Sequence, residues 1–112
     1  MEISQQALDP DVTLIQLNGR LDAISSERVK TALQVLADQD QAKIIIDLQG
    51  VPFIDSSGLA ALVSGLRTVR ERGGIIVLSG AQSQAQIVFR LTMLDRVFAI
   101  HPTYQAARGS LS

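Results

Sequence analysis

Between residues 12 and 17 the apolar positions Val12, Leu14, Ile15 and Leu17 alternate or run together and stop at Asn18-Gly19, the pattern of a strand closed by a turn. Asp9-Pro10-Asp11 precedes it as a turn, and residues 2–8 form a weaker strand that so short a connection pairs antiparallel, as a hairpin. The period then changes. Val29, Ala32, Leu33 and Leu36 recur at helical spacing behind Ser25, placed as the cap, and Glu27, placed in the first turn. This helix is expected to fray near residues 38–40. Residues 43–48 are β-branched and almost continuously apolar, as in a central strand covered on both faces. Gly50 and Pro52 break the run. From Leu59 onward, Leu59, Leu62, Val63, Leu66 and Val69 fall on one helical face, with Ser64, Arg67, Thr68, Arg70 and Arg72 opposite, and Gly73-Gly74 stops the helix. Residues 75–78 read as another buried strand. Residues 84–94 read as a helix with Ile87, Leu91 and Leu94 in register, residues 97–100 as a short strand, and the stretch after Pro102-Thr103 as a last helical turn.

That order predicts an α/β fold. Alternating strands and helices require parallel pairs with right-handed crossovers, so the expected architecture is one mixed, mostly parallel sheet with an N-terminal antiparallel hairpin strand and about four helices. No linker, repeat or low-complexity stretch divides residues 1–112, and the length suits one domain with its own core.

Composition narrows the chemistry. With no cysteine there is no disulfide, no thiolate zinc site and no cysteine nucleophile, and a reducing compartment, the cytoplasm, is the expected location. The N-terminal residues Met1-Glu2-Ile3-Ser4 carry neither a basic leader nor an apolar stretch, so no secretory signal is expected. Apolar runs such as residues 44–46 are far short of the roughly 20 residues that a membrane helix needs. A net charge of -1 argues against binding nucleic acid or an acidic membrane by general electrostatics. His101 is the one histidine, so a metal site would need to be built from carboxylates, and no such spacing is present.

The chemistry concentrates in Phe53-Ile54-Asp55-Ser56-Ser57-Gly58-Leu59, between a buried strand and an amphipathic helix. Open α/β sheets place ligands outside the carboxyl ends of their parallel strands, and a helix start offers unpaired N–H groups to an anion such as phosphate. Gly58 would allow a close approach. The plainer reading is that Asp55 or Ser56 only caps the helix, although two serines and an aspartate exceed what a cap requires. A catalytic reading has less support: there is no Gly-x-Ser-x-Gly elbow, and His101 lies at the far end of the chain.

Leu17-Asn18-Gly19-Arg20-Leu21-Asp22, then Ile46-Asp47-Leu48 with Val51-Pro52-Phe53-Ile54-Asp55-Ser56-Ser57-Gly58-Leu59, and finally Leu91-Thr92-Met93-Leu94-Asp95-Arg96-Val97-Phe98 resemble the STAS domain family, and within it the bacterial anti-sigma-factor antagonists. The likeness covers nearly the whole chain. It implies partner switching: the unphosphorylated protein binds an anti-sigma factor that is also a serine kinase, phosphorylation of Ser56 releases it, and a PP2C-type phosphatase resets the cycle. Asp22, Asp55, Ser57, Gly58 and Leu59 would then surround the kinase-docking surface. The resemblance implies no catalytic residue, no cofactor, no metal, no direct nucleic-acid contact and no membrane insertion. Asp22 is equally readable as a turn or helix cap, and Leu59 as mostly core.

Two features depart from the family pattern or go unused by it. Met93 stands where many relatives have glycine, and helical spacing places it with Phe89 away from the Ile87-Leu91-Leu94 face, open to an exposed apolar pair that would serve as a second contact or dimer surface, although isolated surface hydrophobes are the plainer reading. Arg67, Arg70 and Arg72 read first as a solvated helix face. Two other functions compete: a STAS docking subunit of a transporter, lipid-trafficking or stress-signalling complex, and a nucleotide-binding protein. The latter lacks a Gly-x-x-x-x-Gly-Lys-Ser/Thr loop.

Overall fold

Hydrophobic alternation and turn chemistry place five strands and four helices in the expected order. The computed structural model describes residues 1–111; Ser112, the last residue of the expected domain, lies outside them. β1 (Glu2–Asp9) turns at Pro10 into β2 (Val12–Asn18), followed by α1 (Ala23–Asp38), β3 (Lys43–Gly50) and α2 (Ser56–Glu71). β4 (Ile75–Ser79), α3 (Ser83–Leu91), a single 3-10 turn (Leu94–Arg96), β5 (Ile100–His101) and α4 (Tyr104–Ser110) complete the chain. The strands lie side by side in chain order, β1 antiparallel to β2 and every later pair parallel.

Because side chains alternate across a strand, β3 feeds two cores. Ile44, Ile46 and Leu48 join Ile15, Leu17, Ile76 and Leu78 in the larger one, which also takes Val29, Leu33 and Leu36 of α1 and Leu62, Leu66 and Val69 of α2. Ile45 points the other way and meets Val12, Leu14, Val77 and Ala107 under α4. Each such aliphatic side chain, fully buried, stabilises the fold by about 1.5–3 kcal/mol, so both faces of the sheet contribute. Asp47 is buried as well, inside a stretch that reads as an apolar strand; Gln16 Nε2 and the Gln49 N–H donate to its two carboxylate oxygens at 3.2 and 3.1 Å.

Several sequence expectations need correction. α1 is capped by Asp22 rather than Ser25, because Asp22 already has extended backbone (φ -131°) and its side chain reaches the N–H groups of Ile24 and Ser25. Ser25 is the third helical residue and completes a capping box, while Glu27 falls beyond the first turn. α3 ends at Leu91, three residues earlier than expected, and its buried face is the opposite one. Ala85 and Phe89 enter the core, leaving Ile87 and Leu91 exposed. Ile87 and Leu91 share the same four-residue spacing as Ala85 and Phe89, so periodicity cannot choose between the stripes; the large Phe89 ring, filling the core, decides. Phe89 and Met93 therefore form no exposed pair. β5 occupies residues 100–101 rather than 97–100, since the 3-10 turn consumes the intervening chain.

Candidate functional site

The carboxyl ends of β2 and β3 lead into the two loops that carry the sequence-predicted residues. The loops are stitched together by backbone. Gly19 N–H donates to Gly50 O at 2.9 Å, Leu21 N–H to Phe53 O at 2.9 Å, and Asp55 N–H to Leu21 O at 3.1 Å. Leu21 and Ile54 thereby make a parallel bridge that extends the sheet beyond its named strands. A third segment locks the same point: Ile54 N–H donates to Gln84 Oε1 and Gln84 Nε2 donates to Ile54 O, both at 2.9 Å. The α3 side chain thus pairs both polar groups of Ile54 as a neighbouring strand would.

On this platform the two aspartates start two helices. Asp22 Oδ1 accepts from the N–H groups of Ser25 and Ile24 at 3.2 and 3.1 Å, and Ser25 Oγ accepts from Asp22 N–H at 3.0 Å. The bond from the Ser25 N–H, joined by that from Ile24, the Ser25 hydroxyl and the charge of Arg20, holds the Asp22 carboxyl below the usual carboxylate range. Asp55 Oδ1 accepts from Gly58 N–H at 2.9 Å and caps α2. Both aspartates are helix caps, and both stay half-exposed at the surface.

Ser56 is the first residue of α2 and is exposed; Ser57, one residue further, is half-buried. Neither hydroxyl, nor the N–H of either residue, makes a hydrogen bond among the described residues. An anion placed on Ser56 would therefore meet free donors at the positive end of a helix of 16 residues. Gly58 is buried, and a Cβ there would lie 2.4 Å from Leu21 O, so only glycine lets the first turn of α2 rest on the β2–α1 loop. Leu59 is half-buried against the larger core rather than fully inside it.

Three surface features went unread in the sequence. Arg20 stacks over the Phe53 ring, 4.2 Å from its centroid, while its Nε lies 3.9 Å from Asp22 Oδ2, which clasps the two loops from outside. Ile24, beside the Asp22 cap, is 89% exposed. Gln84 clamps the loop from a helix 30 residues away. Nothing local in the chain marks Gln84 or the stack of Arg20 on Phe53, because each of those partners is distant in sequence; Ile24 was legible as an apolar residue in the first turn once Asp22 is taken as the cap. Among the described residues no cluster of metal-ligating side chains occurs, and no helix is long and apolar enough to cross a membrane.

The STAS domain model matches residues 5–107. The chain belongs to the STAS domain family. Among its relatives, the anti-sigma-B factor antagonist of Listeria monocytogenes serovar 1/2a is 32% identical over 92 residues, covering 82% of this chain and 81% of that protein. The anti-sigma F factor antagonist of Paenibacillus polymyxa is 27% identical over 102 residues, 90% of this chain and 85% of that one. The structure of an anti-sigma-factor antagonist (STAS) domain protein from Planctomyces limnophilus superposes with a TM-score of 0.84 at 25% identity, covering 98% of this chain and 97% of that chain. The expected STAS architecture, a mixed sheet with one antiparallel edge strand and four helices, is the one observed.

Proposed function

We propose that this STAS domain is an anti-sigma factor antagonist of a cytoplasmic partner-switching pathway and is not itself an enzyme. In its unphosphorylated form it binds an anti-sigma factor that is a serine kinase. Phosphorylation of Ser56 releases the kinase, and a PP2C-type phosphatase restores the binding form. The observation that carries this reading is the exposed, unbonded Ser56 at the first position of α2, directly after the Asp55 cap and on the platform shared with Asp22. The names borne by the Listeria and Paenibacillus relatives support it.

The physics of the switch is local. A phosphoserine adds about -1.5 to -2 charges at neutral pH. On Ser56 it would be tolerated by the free N–H groups of α2 while adding to the negative charge of Asp55 and Asp22, so a partner surface fitted to the neutral hydroxyl is repelled and the fold need not change. Asp22, Asp55, Ser57, Gly58 and Leu59 form or shape the docking surface around it. Ser56 is the residue modified, since it is the more exposed of the two serines.

The test is binding to the anti-sigma kinase captured from the native cell. Ser56→Ala is expected to bind as wild type and to resist release by ATP, and Ser56→Asp to bind at least about tenfold more weakly, a loss of about 1.4 kcal/mol. Tandem mass spectrometry of the kinase-treated protein is expected to place phosphate on Ser56; phosphate on Ser57 that persists in Ser56→Ala would overturn the assignment. Equal affinity of wild type and Ser56→Asp would favour instead a STAS docking subunit whose binding is indifferent to phosphorylation.

A further inference from the structure

Among the described residues two that are not glycine adopt the left-handed backbone conformation: Asp40 at φ 58° and Met93 at φ 59°. An aspartate tolerates that conformation; Met93 holds it as the residue that ends α3, its N–H donating to Arg90 O at 3.2 Å, and carries a steric cost there that glycine would not. The cost is not recovered by burial, because Met93 is 60% exposed. It stands in a segment with an unusual surface: Leu91 is 77% exposed and Val97 42%. The 3-10 turn between them sends Leu94 and Phe98 inward and leaves Met93 and Val97 outside.

Val97 also forms one wall of a groove of about 360 Å³ against α2, lined by Val63, Leu66, Arg67, Arg70 and Glu71. The side chains of Arg67 and Arg70 are exposed and engage no ion pair or hydrogen bond among the described residues, and the same holds for the side chains of Arg90 and Arg96 on the segment that carries Met93. Arg67 and Arg70 rim the groove with a single carboxylate, Glu71, while Arg90 and Asp95 lie around a different hollow with Phe89 and His101. The patch is thus net positive on a chain whose overall charge is -1. It lies toward the last turns of α2, at the other end of that helix from Ser56.

We propose that this apolar, arginine-rimmed face is a second docking surface, and that its occupant is an acidic amphipathic segment of a partner protein. Apolar side chains of the segment would cover Met93 and Val97 and enter the groove, and its carboxylates would pair with Arg67 and Arg70. The surface is separate from the Ser56 platform, so it does not depend on the phosphorylation reading. An apolar side chain kept exposed at a helix stop that glycine would fill without strain is what links Met93 to binding.

The experiment uses the isotope-labelled full chain and a synthetic helical peptide bearing leucine and phenylalanine on one face and glutamate on the other. Amide shifts are expected at residues 91–97 and 63–71 and not at residues 53–59, with affinity that falls as salt is raised. Met93→Gly is expected to melt at the same temperature as wild type or higher, because glycine accepts the left-handed backbone, yet to bind the peptide about tenfold more weakly through the lost contact area. Arg67→Glu with Arg70→Glu is expected to abolish binding while leaving the amide spectrum of the core unchanged. The proposal fails if the peptide leaves the patch unperturbed or if Met93→Gly binds as well as wild type. It also fails if phosphatidylglycerol vesicles or a second copy of the chain, rather than the peptide, occupy these residues.

Discussion

Ser79 sits in register between Asp47 on β3 and His101 on β5, so three residues of chemistry-bearing types share one row across the sheet. No side-chain hydrogen bond joins them among the described residues. Ser79 Oγ and His101 Nε2 are buried with no hydrogen-bond partner among the described residues, and Asp47 is occupied by Gln16 and the Gln49 N–H. A buried hydroxyl without a partner loses its hydration on folding and regains nothing. Ser79→Ala is therefore expected to raise the unfolding free energy by about 0.5–1 kcal/mol in urea denaturation. A loss of stability instead would mean that the hydroxyl is bonded in solution, where Asp47 and His101 are its two register neighbours.

At the scale of elements, two glycines on α2 set how closely its neighbours approach, and they differ in what they touch. A Cβ on Gly58 would meet the backbone carbonyl of Leu21 at 2.4 Å, whereas one on Gly65 would meet the tip of the Leu33 side chain at 2.2 Å. A side-chain tip can turn away; a carbonyl held in the stitched loops cannot. Alanine also gains about 1 kcal/mol of helix propensity over glycine. Gly65→Ala is thus expected to change stability by no more than about 1 kcal/mol, while Gly58→Ala loses about 2 kcal/mol or more and perturbs the amides of Leu21 and Asp55. These close approaches mark the boundary of what the chain reveals on its own. Strand β3, the hairpin and the apolar face of α2 were legible because one period dominates each segment. The start of α1 was not, since Asp22 and Ser25 are both capping residues and only the point where β2 ends chooses between them. The face of α3 was not, since two stripes with equal spacing compete. Of the candidate site, Asp55 and Ser56 could be read from their positions at the start of α2 and Asp22 entered through the family resemblance, while the Gln84 clamp and the Arg20 stack on Phe53 exist only once distant segments meet.

For the molecule as a whole, the electrostatic ties are few and lie at its periphery, where one of them joins its two ends. Arg108 on α4 donates to Asp9 at the end of β1 through Nε at 2.9 Å and a second nitrogen at 2.6 Å, across 99 residues of sequence. Those bonds from Arg108 hold the Asp9 carboxyl below its usual range, as the helix-start bonds do for Asp22. Both folded-state values lie below the ordinary 3.8, so the folded protein binds these two protons less readily than the unfolded chain does. Their contribution is complete above that ordinary value and is lost as pH falls through the lower folded ones. Urea unfolding is therefore expected to be nearly flat in pH near neutrality as far as these two groups are concerned, and to weaken as pH falls below about 4. Arg108→Gln is expected to remove the Asp9 part of that acid dependence. Asp22→Asn is expected to remove the Asp22 part while keeping the helix start, because asparagine also caps. Since the Asp9–Arg108 pair is substantially exposed, raising the salt concentration should diminish its part of the effect. If Arg108→Gln leaves the acid limb of the stability curve unchanged, the tie between hairpin and α4 does not contribute in solution, and α4 is held to the sheet by the packing of Tyr104, Ala107 and Leu111 on Val12, Leu14, Ile45 and Val77 and by the Lys43 bond to Leu111 O.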